Sequence, residues 1–115
     1  MAKAKKEVAP AYGSIFRAIQ EIASAKTFGP GFTATQITLT GDCDFQPLYI
    51  KIEDRVPEVA PYEYHNADFY IDCDPSVMAD ILNGRKTIYD AVGDGSITIN
   101  GNAAKAVVFI HTFFG

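Results

Sequence analysis

Tryptophan is absent from this 115-residue chain, and cysteine occurs only twice. Cys43 and Cys73 each lie between two aspartates, and the sequence holds neither a Cys-x-x-Cys nor a His-x-x-x-His pair. Metal sites built from cysteine and histidine rely on such closely spaced pairs. The sequence therefore predicts no metal and no cofactor, and a reducing compartment disfavours a disulfide between the two cysteines.

Basic residues are also scarce outside the first few positions. The chain has 10 lysines and arginines against 14 aspartates and glutamates, and three of the lysines lie within "MAKAKKEVAP" at its start. A nucleic-acid surface needs clustered lysine and arginine, so no nucleic-acid partner is expected. Residues 1–10 are predicted to be a disordered basic tail, and residues 11–115 a single domain.

Long hydrophobic runs are missing as well. No stretch approaches the roughly 18 apolar residues that a membrane span requires, and no signal-peptide core follows the first lysines. The sequence thus predicts no integral membrane segment and a cytoplasmic protein. What it does have is aromatic bulk, because eight Phe and six Tyr exceed what so small a domain needs to close a core.

The first half of the chain alternates between helical and strand patterns. Apolar residues at helical spacing predict an amphipathic helix over 12–25. Strand patterns over 32–40 and 47–53 are separated by a turn and predict an antiparallel hairpin. Prolines in the following segment place any strand there, around 59–64, at a sheet edge or in a loop.

The next strand, predicted over 67–73, carries the second cysteine. Cys73 falls in phase with Phe69 and Ile71, which indicates a small core residue. Neighbouring aspartates raise the pKa of a thiol because they disfavour its thiolate. Neither cysteine is therefore expected to be a catalytic nucleophile.

Three later helices begin at residues that are good N-caps. These caps are Asp74, Thr87 and Asn102. A strand with Ile97 and Ile99 on one face is predicted between the second and third of these helices. The helix after Asp74 is expected to bury four apolar residues, namely Val77, Met78, Ile81 and Leu82.

The last helix, "AAKAVVFIHTFF", is apolar around most of its circumference. Such a helix is typical of an element buried on both sides, either in a core or in a dimer interface. The other interpretation is that one of its faces borders a cavity.

Catalytic and ion-binding patterns fail on detail. A calcium loop starting at Asp42 would place Pro47 where a glycine is needed for the sharp turn. Glycines 93, 95 and 101 precede and end a strand, whereas a phosphate cradle opens a helix. An enzyme would require groups such as Asp44, Asp72 or His65 to converge in one cleft, and no spacing in the sequence indicates that they do.

The order of elements from Ala67 onward is more specific. "AD" opens an apolar strand, a helix rich in Met, Ile and Leu ends at "NGR", and "GSITINGN" leads into the terminal apolar helix. Over residues 67–114 this order resembles the sterol carrier protein 2 family of lipid-transfer domains. Gly84-Arg85 stands where that family usually has Gly-Lys, and residues 97–102 fit its strand-turn signature. Ser96 and Asn100 depart from the family pattern, in which lysine is common at both places.

The resemblance implies an α+β domain with a twisted, mostly antiparallel sheet of about five strands and helices packed on one face. It also implies an apolar tunnel that holds a fatty-acyl, sterol or similar lipid, in an intracellular lipid-binding or lipid-transfer domain without catalysis. The expected ligand contacts are apolar residues of the second half: Phe69, Met78, Leu82, Phe109, Ile110 and Phe113.

A second interpretation keeps the fold without the lipid. In it the terminal aromatic helix forms a homodimer, and the protein serves as a structural or interaction module.

Overall fold

The computed structural model describes residues 12–41 and 46–115, which form four helices and five strands. The basic tail and the first Asp-Cys-Asp tripeptide lie outside the described residues. The helices are α1 (Tyr12–Ala25), α2 (Pro75–Leu82), α3 (Ile88–Gly93) and α4 (Ala103–Phe113). The strands are β1 (Phe32–Leu39), β2 (Pro47–Glu53), β3 (Val56–Ala60), β4 (Phe69–Cys73) and β5 (Ile97–Gly101).

The five strands form one sheet in the order β3-β2-β1-β4-β5. The pairs β1–β2, β2–β3 and β4–β5 are antiparallel, whereas β1 and β4 are parallel. The predicted α+β class, the mostly antiparallel sheet and the β1–β2 hairpin are confirmed. The parallel pair at the centre was not foreseen.

The segment between β3 and β4 produces the parallel pair. It returns across the polar face of the sheet, where the backbone N–H of Tyr64 donates to the side-chain oxygen of Gln36 at 3.0 Å. Asp68 then meets Ala34 twice: its carboxylate accepts from the Ala34 N–H at 2.9 Å, and its own N–H donates to the Ala34 carbonyl at 2.8 Å. These bonds place the start of β4 beside β1.

Strand β3 is an edge strand, as its prolines indicated, but its predicted position around 59–64 was wrong. A two-residue turn connects it to β2, and both turn residues, Asp54 and Arg55, have positive φ values of 47° and 76°. Two positive φ angles suit the tight hairpin turns that follow strand twist. The usual sequence signal for such a turn is Asn-Gly or Asp-Gly, so the Asp-Arg dipeptide did not indicate a turn here.

One face of the sheet carries the core, and the helices cover that face. Thr35 is the polar residue in this layer, and its hydroxyl donates to the carbonyl of Phe69 at 3.0 Å. This bond satisfies a hydroxyl that is fully buried. The inward residues are Thr35, Ile37 and Leu39 of β1, Leu48, Ile50 and Ile52 of β2, Phe69, Ile71 and Cys73 of β4, and Ile97 of β5.

All three predicted N-caps are confirmed. Asp74, Thr87 and Asn102 each have extended backbone, and each side chain accepts a hydrogen bond from an N–H of the first helical turn. Within α2, Met78 and Ile81 are buried as expected. Val77 and Leu82 are only half-buried, because they lie toward the rim of the helix's contact with the core.

Helix α4 is not buried on both sides within the chain. Ala106, Phe109, Ile110 and Phe113 face the core, whereas Val107 and Val108 are 67% and 66% exposed. The interpretation of α4 as a central helix enclosed by its own chain was therefore wrong. Its outer apolar face leaves the other two interpretations, a cavity border or a dimer interface.

Candidate functional site

An apolar groove of about 470 Å³ lies on the surface between α3, β5 and α4. Pockets that hold small apolar ligands usually have volumes of about 300 to 1,000 Å³. The groove residues are Tyr89 and Val92 of α3, Ile99 and Gly101 of β5, and Ala103, Ala106, Val107, Ile110 and His111 of α4.

Small residues line the groove at the β5–α4 junction. Gly101 has a φ of 122°, and a Cβ at this position would lie 2.6 Å from the carbonyl oxygen of Asp68. Only glycine fits there without moving the backbone. Ala103 and Ala106 follow on the groove side of α4, and their single methyl groups leave the volume that larger side chains would fill.

The polar side chains of the groove meet at one point. The Tyr89 hydroxyl and Nδ1 of His111 form a hydrogen bond of 3.1 Å that links α3 to α4. Both side chains are exposed, whereas Ala106 and Ile110 at the groove floor are buried. The groove is therefore an apolar surface with one polar pair at its mouth.

Of the six residues expected to contact a ligand, Ile110 lines this groove. Phe109 borders a smaller groove of about 150 Å³ beside the loop at Phe28. Phe69, Met78 and Phe113 are at most 1% exposed in the core, and Leu82 is half-buried against it. The contact of all six residues with a ligand stays a prediction.

The phenylalanines that were expected to line a tunnel pack against one another. Phe109 stacks on Phe113 with ring centroids 5.1 Å apart, and Phe69 meets Phe109 edge to face at 5.5 Å. Phe28 adds a third partner by stacking on Phe113. These four phenylalanines thus fill the layer between α4 and the sheet.

Sequence reasoning missed the other groove residues, although one signal was present. Ala103, Ala106, Val107 and Ile110 follow the spacing i, i+3, i+4, i+7, which places them on a single helix face. Two alanines on such a face indicate a concave stripe. The contribution of Tyr89 from α3 had no comparable signal, because it depends on how two helices pack.

Cys73 has the environment of a structural thiol. It is 1% exposed, and burial together with the adjacent Asp74 carboxylate raises the pKa of its thiol to about 12. At neutral pH the side chain is therefore the protonated, poorly nucleophilic form. Among residues 12–41 and 46–115, no group of three or more His, Cys, Asp or Glu side chains is arranged to hold a metal ion.

Comparison with solved structures identifies the fold. The solution NMR structure of palmitated SCP2L2 from Aedes aegypti matches with a TM-score of 0.69 at 14% identity, over 92% of this chain and 96% of that chain. The crystal structure of sterol carrier protein 2 like 2 from Aedes aegypti gives the same TM-score at 18% identity, over 86% and 93% of the two chains. The chain therefore has the sterol carrier protein 2 fold.

The same fold is present as part of a larger enzyme. A stereoselective inverting sec-alkylsulfatase from Pseudomonas sp. matches with a TM-score of 0.57 at 12% identity, over 73% of this chain but 13% of the sulfatase. The chain thus corresponds to a small part of that protein.

No protein-family model and no curated protein matches the sequence. None of the helices among the described residues is long and apolar enough to cross a membrane.

Proposed function

We propose that this protein is a non-catalytic lipid-binding or lipid-transfer domain that holds an apolar, lipid-like ligand in the groove between α3, β5 and α4. The observation that carries the proposal is an apolar groove of about 470 Å³ in a chain with the sterol carrier protein 2 fold. One structure with this fold is described as palmitated. An intracellular, cytoplasmic location without a nucleic-acid partner belongs to the same proposal.

Binding in such a groove depends mainly on removing apolar surface from water. Each square ångström of apolar surface that becomes buried contributes about 25 cal/mol. Val92 and Val107 are 42% and 67% exposed without a ligand, so a lipid chain laid along the groove would shield them. Binding of an apolar chain therefore removes apolar surface of both the ligand and the groove from water.

Filling the groove should weaken binding. Ala103→Trp puts a large ring into the space that Ala103 lines, whereas Ala104→Trp changes the next residue of the same helical turn, which is exposed and does not line the groove. Delipidated wild-type protein and Ala104→Trp should bind a fluorescent fatty acid saturably at micromolar protein. Ala103→Trp should bind at least tenfold more weakly.

Two results would contradict the proposal. One is a wild-type protein that takes up no fluorescent fatty acid although circular dichroism shows an intact fold. The other is an Ala103→Trp variant that binds as well as Ala104→Trp, which would place the ligand elsewhere.

A second candidate function is a homodimeric interaction module that binds no lipid. The observation that favours it is the exposure of Val108, which is 66% exposed on the outer face of α4. A contiguous exposed apolar patch marks a surface that a partner can cover. In that case a tight dimer would form and the fluorescent fatty acid would not bind.

A further inference from the structure

We infer that the open edge of β5 binds a partner protein by strand addition. In this complex an extended segment of the partner, with an apolar residue at every second position and basic flanks, pairs antiparallel with β5 and lays its apolar side chains in the groove. The inference goes beyond the proposed lipid ligand, because it assigns a protein partner to the main chain that borders the groove.

The hydrogen bonds between β4 and β5 show which main-chain groups of β5 are free. The Asn102 N–H donates to the Asp68 carbonyl at 2.8 Å, and these two residues lie opposite each other where the register of β4 and β5 continues. Hydrogen-bonded and non-hydrogen-bonded pairs alternate along an antiparallel ladder. Thr98 and Asn100 therefore bond to β4, whereas the N–H and C=O groups of Ile99 point away from it.

The other side of β4 leads to the same assignment. The Cys73 carbonyl accepts from the Thr40 N–H at 2.9 Å, so the main chain of Cys73 points toward β1. Ile71, two residues earlier, points the same way and leaves its opposite residue, Ile99, unbonded to β4. Since β5 is the last strand of the sheet, the N–H and C=O of Ile99 face its open edge. Among residues 12–41 and 46–115 no other element bonds to these two groups.

The two edges of the sheet differ in how they are protected. At the β3 edge, Glu53 and Val56 flank the two-residue turn as a hydrogen-bonded pair, which directs Pro57 and Val59 to the open side. Pro57 has no N–H to offer, and proline is a common means of blocking an edge strand. β5 has the sequence "ITING", with neither proline nor charge, so its edge keeps the capacity to pair with another strand.

The apolar groove lies beside this open edge. Ile99 and Gly101 line it from β5, whereas Val92 and Val107 line it from the helices. Gly101 is exposed, and because glycine has no side chain, the exposed atoms belong to the main chain. Side chains alternate between the two faces of a sheet, so an added strand would point every second side chain into the groove.

The chemistry of this surface favours an extended protein segment over other occupants. Strand addition recognises a partner through main-chain hydrogen bonds, and a pocket beside the edge selects alternate side chains. A lipid chain has no main-chain groups and would leave the N–H and C=O of Ile99 unpaired. The chain carries a net charge of −4, which disfavours pairing with a second copy and favours a segment with basic flanks.

Backbone methylation of a synthetic peptide tests the inference on the unaltered protein. The probe is fluorescein-labelled Lys-Val-Thr-Val-Thr-Val-Lys, whose valines would face the groove. In antiparallel pairing the valines direct their N–H groups to β5, and the threonines direct theirs to solvent. Fluorescence anisotropy should show saturable binding of the probe. N-methylation of the central valine should weaken binding about tenfold, whereas N-methylation of one threonine should change it by at most about twofold.

Two variants of Ile99 give the matched test on the protein. Ile99→Pro removes the N–H that faces the open edge and keeps the bonds of Thr98 and Asn100 to β4, so the fold should persist. Ile99→Ala shortens the side chain but keeps the N–H. Ile99→Pro should bind the probe about tenfold more weakly than Ile99→Ala, with the circular dichroism of both unchanged. If Ile99→Pro does not fold, the methylated probes alone decide.

Three results would overturn the inference. Absence of saturable probe binding by the wild-type protein would show that the edge accepts no strand. Equal weakening by the two methylations would show that the probe occupies the groove without pairing with β5. A wild-type dimer that Ile99→Pro dissociates would assign the edge to a second copy of the chain. Each of these results leaves the proposed function standing, because uptake of a fluorescent fatty acid does not use the N–H of Ile99.

Discussion

At the scale of single residues, Asp74 connects the sequence most directly to the energetics of the fold. Its carboxylate accepts from the N–H of Ser76 at 2.8 Å, and Pro75 follows at the first helical position. The bond satisfies an amide that would otherwise have no partner at the start of α2. The residue therefore holds the junction between the central sheet and the helix that covers it.

Removal of this cap should be measurable. We expect Asp74→Ala to lower the free energy of unfolding by about 1 kcal/mol, the typical loss of an N-cap. Asp74→Ser is the matched control, because serine can accept the same hydrogen bond and should retain most of the stability. Urea unfolding followed by circular dichroism measures both. Equal losses in the two variants would show that the carboxylate stabilises the protein in some other way.

Caps of this kind could be read from the sequence because they involve residues two or three positions apart. Asp74, Thr87 and Asn102 were all recognised in this way, and each structural N-cap agrees. The half-burial of Val77 and Leu82 could not be recognised, because it depends on the exact angle at which α2 meets the core. The candidate site is similar: Ile110 was among the expected ligand contacts and lines the groove, whereas Tyr89 and His111 come together only when α3 packs against α4.

At the scale of secondary-structure elements, the sheet shows what local patterns specify and what they omit. Alternation of apolar residues located β1, β2, β4 and β5, because it depends only on which face is buried. This alternation does not specify which strands pair with each other, so the parallel pairing of β1 with β4 was not predicted. Asp68 explains the Ala-Asp pair that precedes β4: its carboxylate and its backbone both bond to Ala34, and Lys105 lies 3.4 Å from the same carboxylate.

Helix α4 serves both candidate functions with different faces. Val107 lines the groove, whereas Val108 does not and instead borders the smaller groove near Phe28. A substitution at Val108 can therefore disturb a dimer contact on the outer face of α4 without occupying the lipid groove.

We expect wild-type protein and Val108→Lys to sediment as the same species, because the proposed carrier does not require a partner on this face. Ala104→Lys is a control at another exposed position of α4. Sedimentation velocity over a range of concentrations measures the outcome. A wild-type dimer that Val108→Lys dissociates, and that Ala104→Lys leaves intact, would support the interaction module and contradict a monomeric carrier.

At the scale of the whole molecule, the fold was predicted from an ordered series of weak motifs. Each motif is short, but their sequence from the strand start at Ala67 to the cap at Asn102 is a property of the entire second half. The matches to sterol carrier protein 2 like structures confirm that fold at identities of 14% and 18%. Such similarity fixes the arrangement of the chain and leaves the position of a ligand to local side chains.

The sequence and the structure lead to different expectations for the position of the ligand. The resemblance implied a tunnel lined by residues such as Phe69 and Phe113. In the structure these rings pack against other aromatic rings, and the apolar groove lies outside them, along Ala103 and Val107. The two locations share few residues, so a single experiment distinguishes them.

The most direct measurement is isotope-filtered NMR of ¹³C-labelled protein with unlabelled lauric acid, which detects protein protons within about 5 Å of the ligand chain. The account predicts contacts from the lipid chain to the methyl groups of Ala103, Val107 and Ile110. Contacts to Phe69 and Met78 without any to Ala103 or Val107 would contradict it, as would the absence of contacts under saturating ligand.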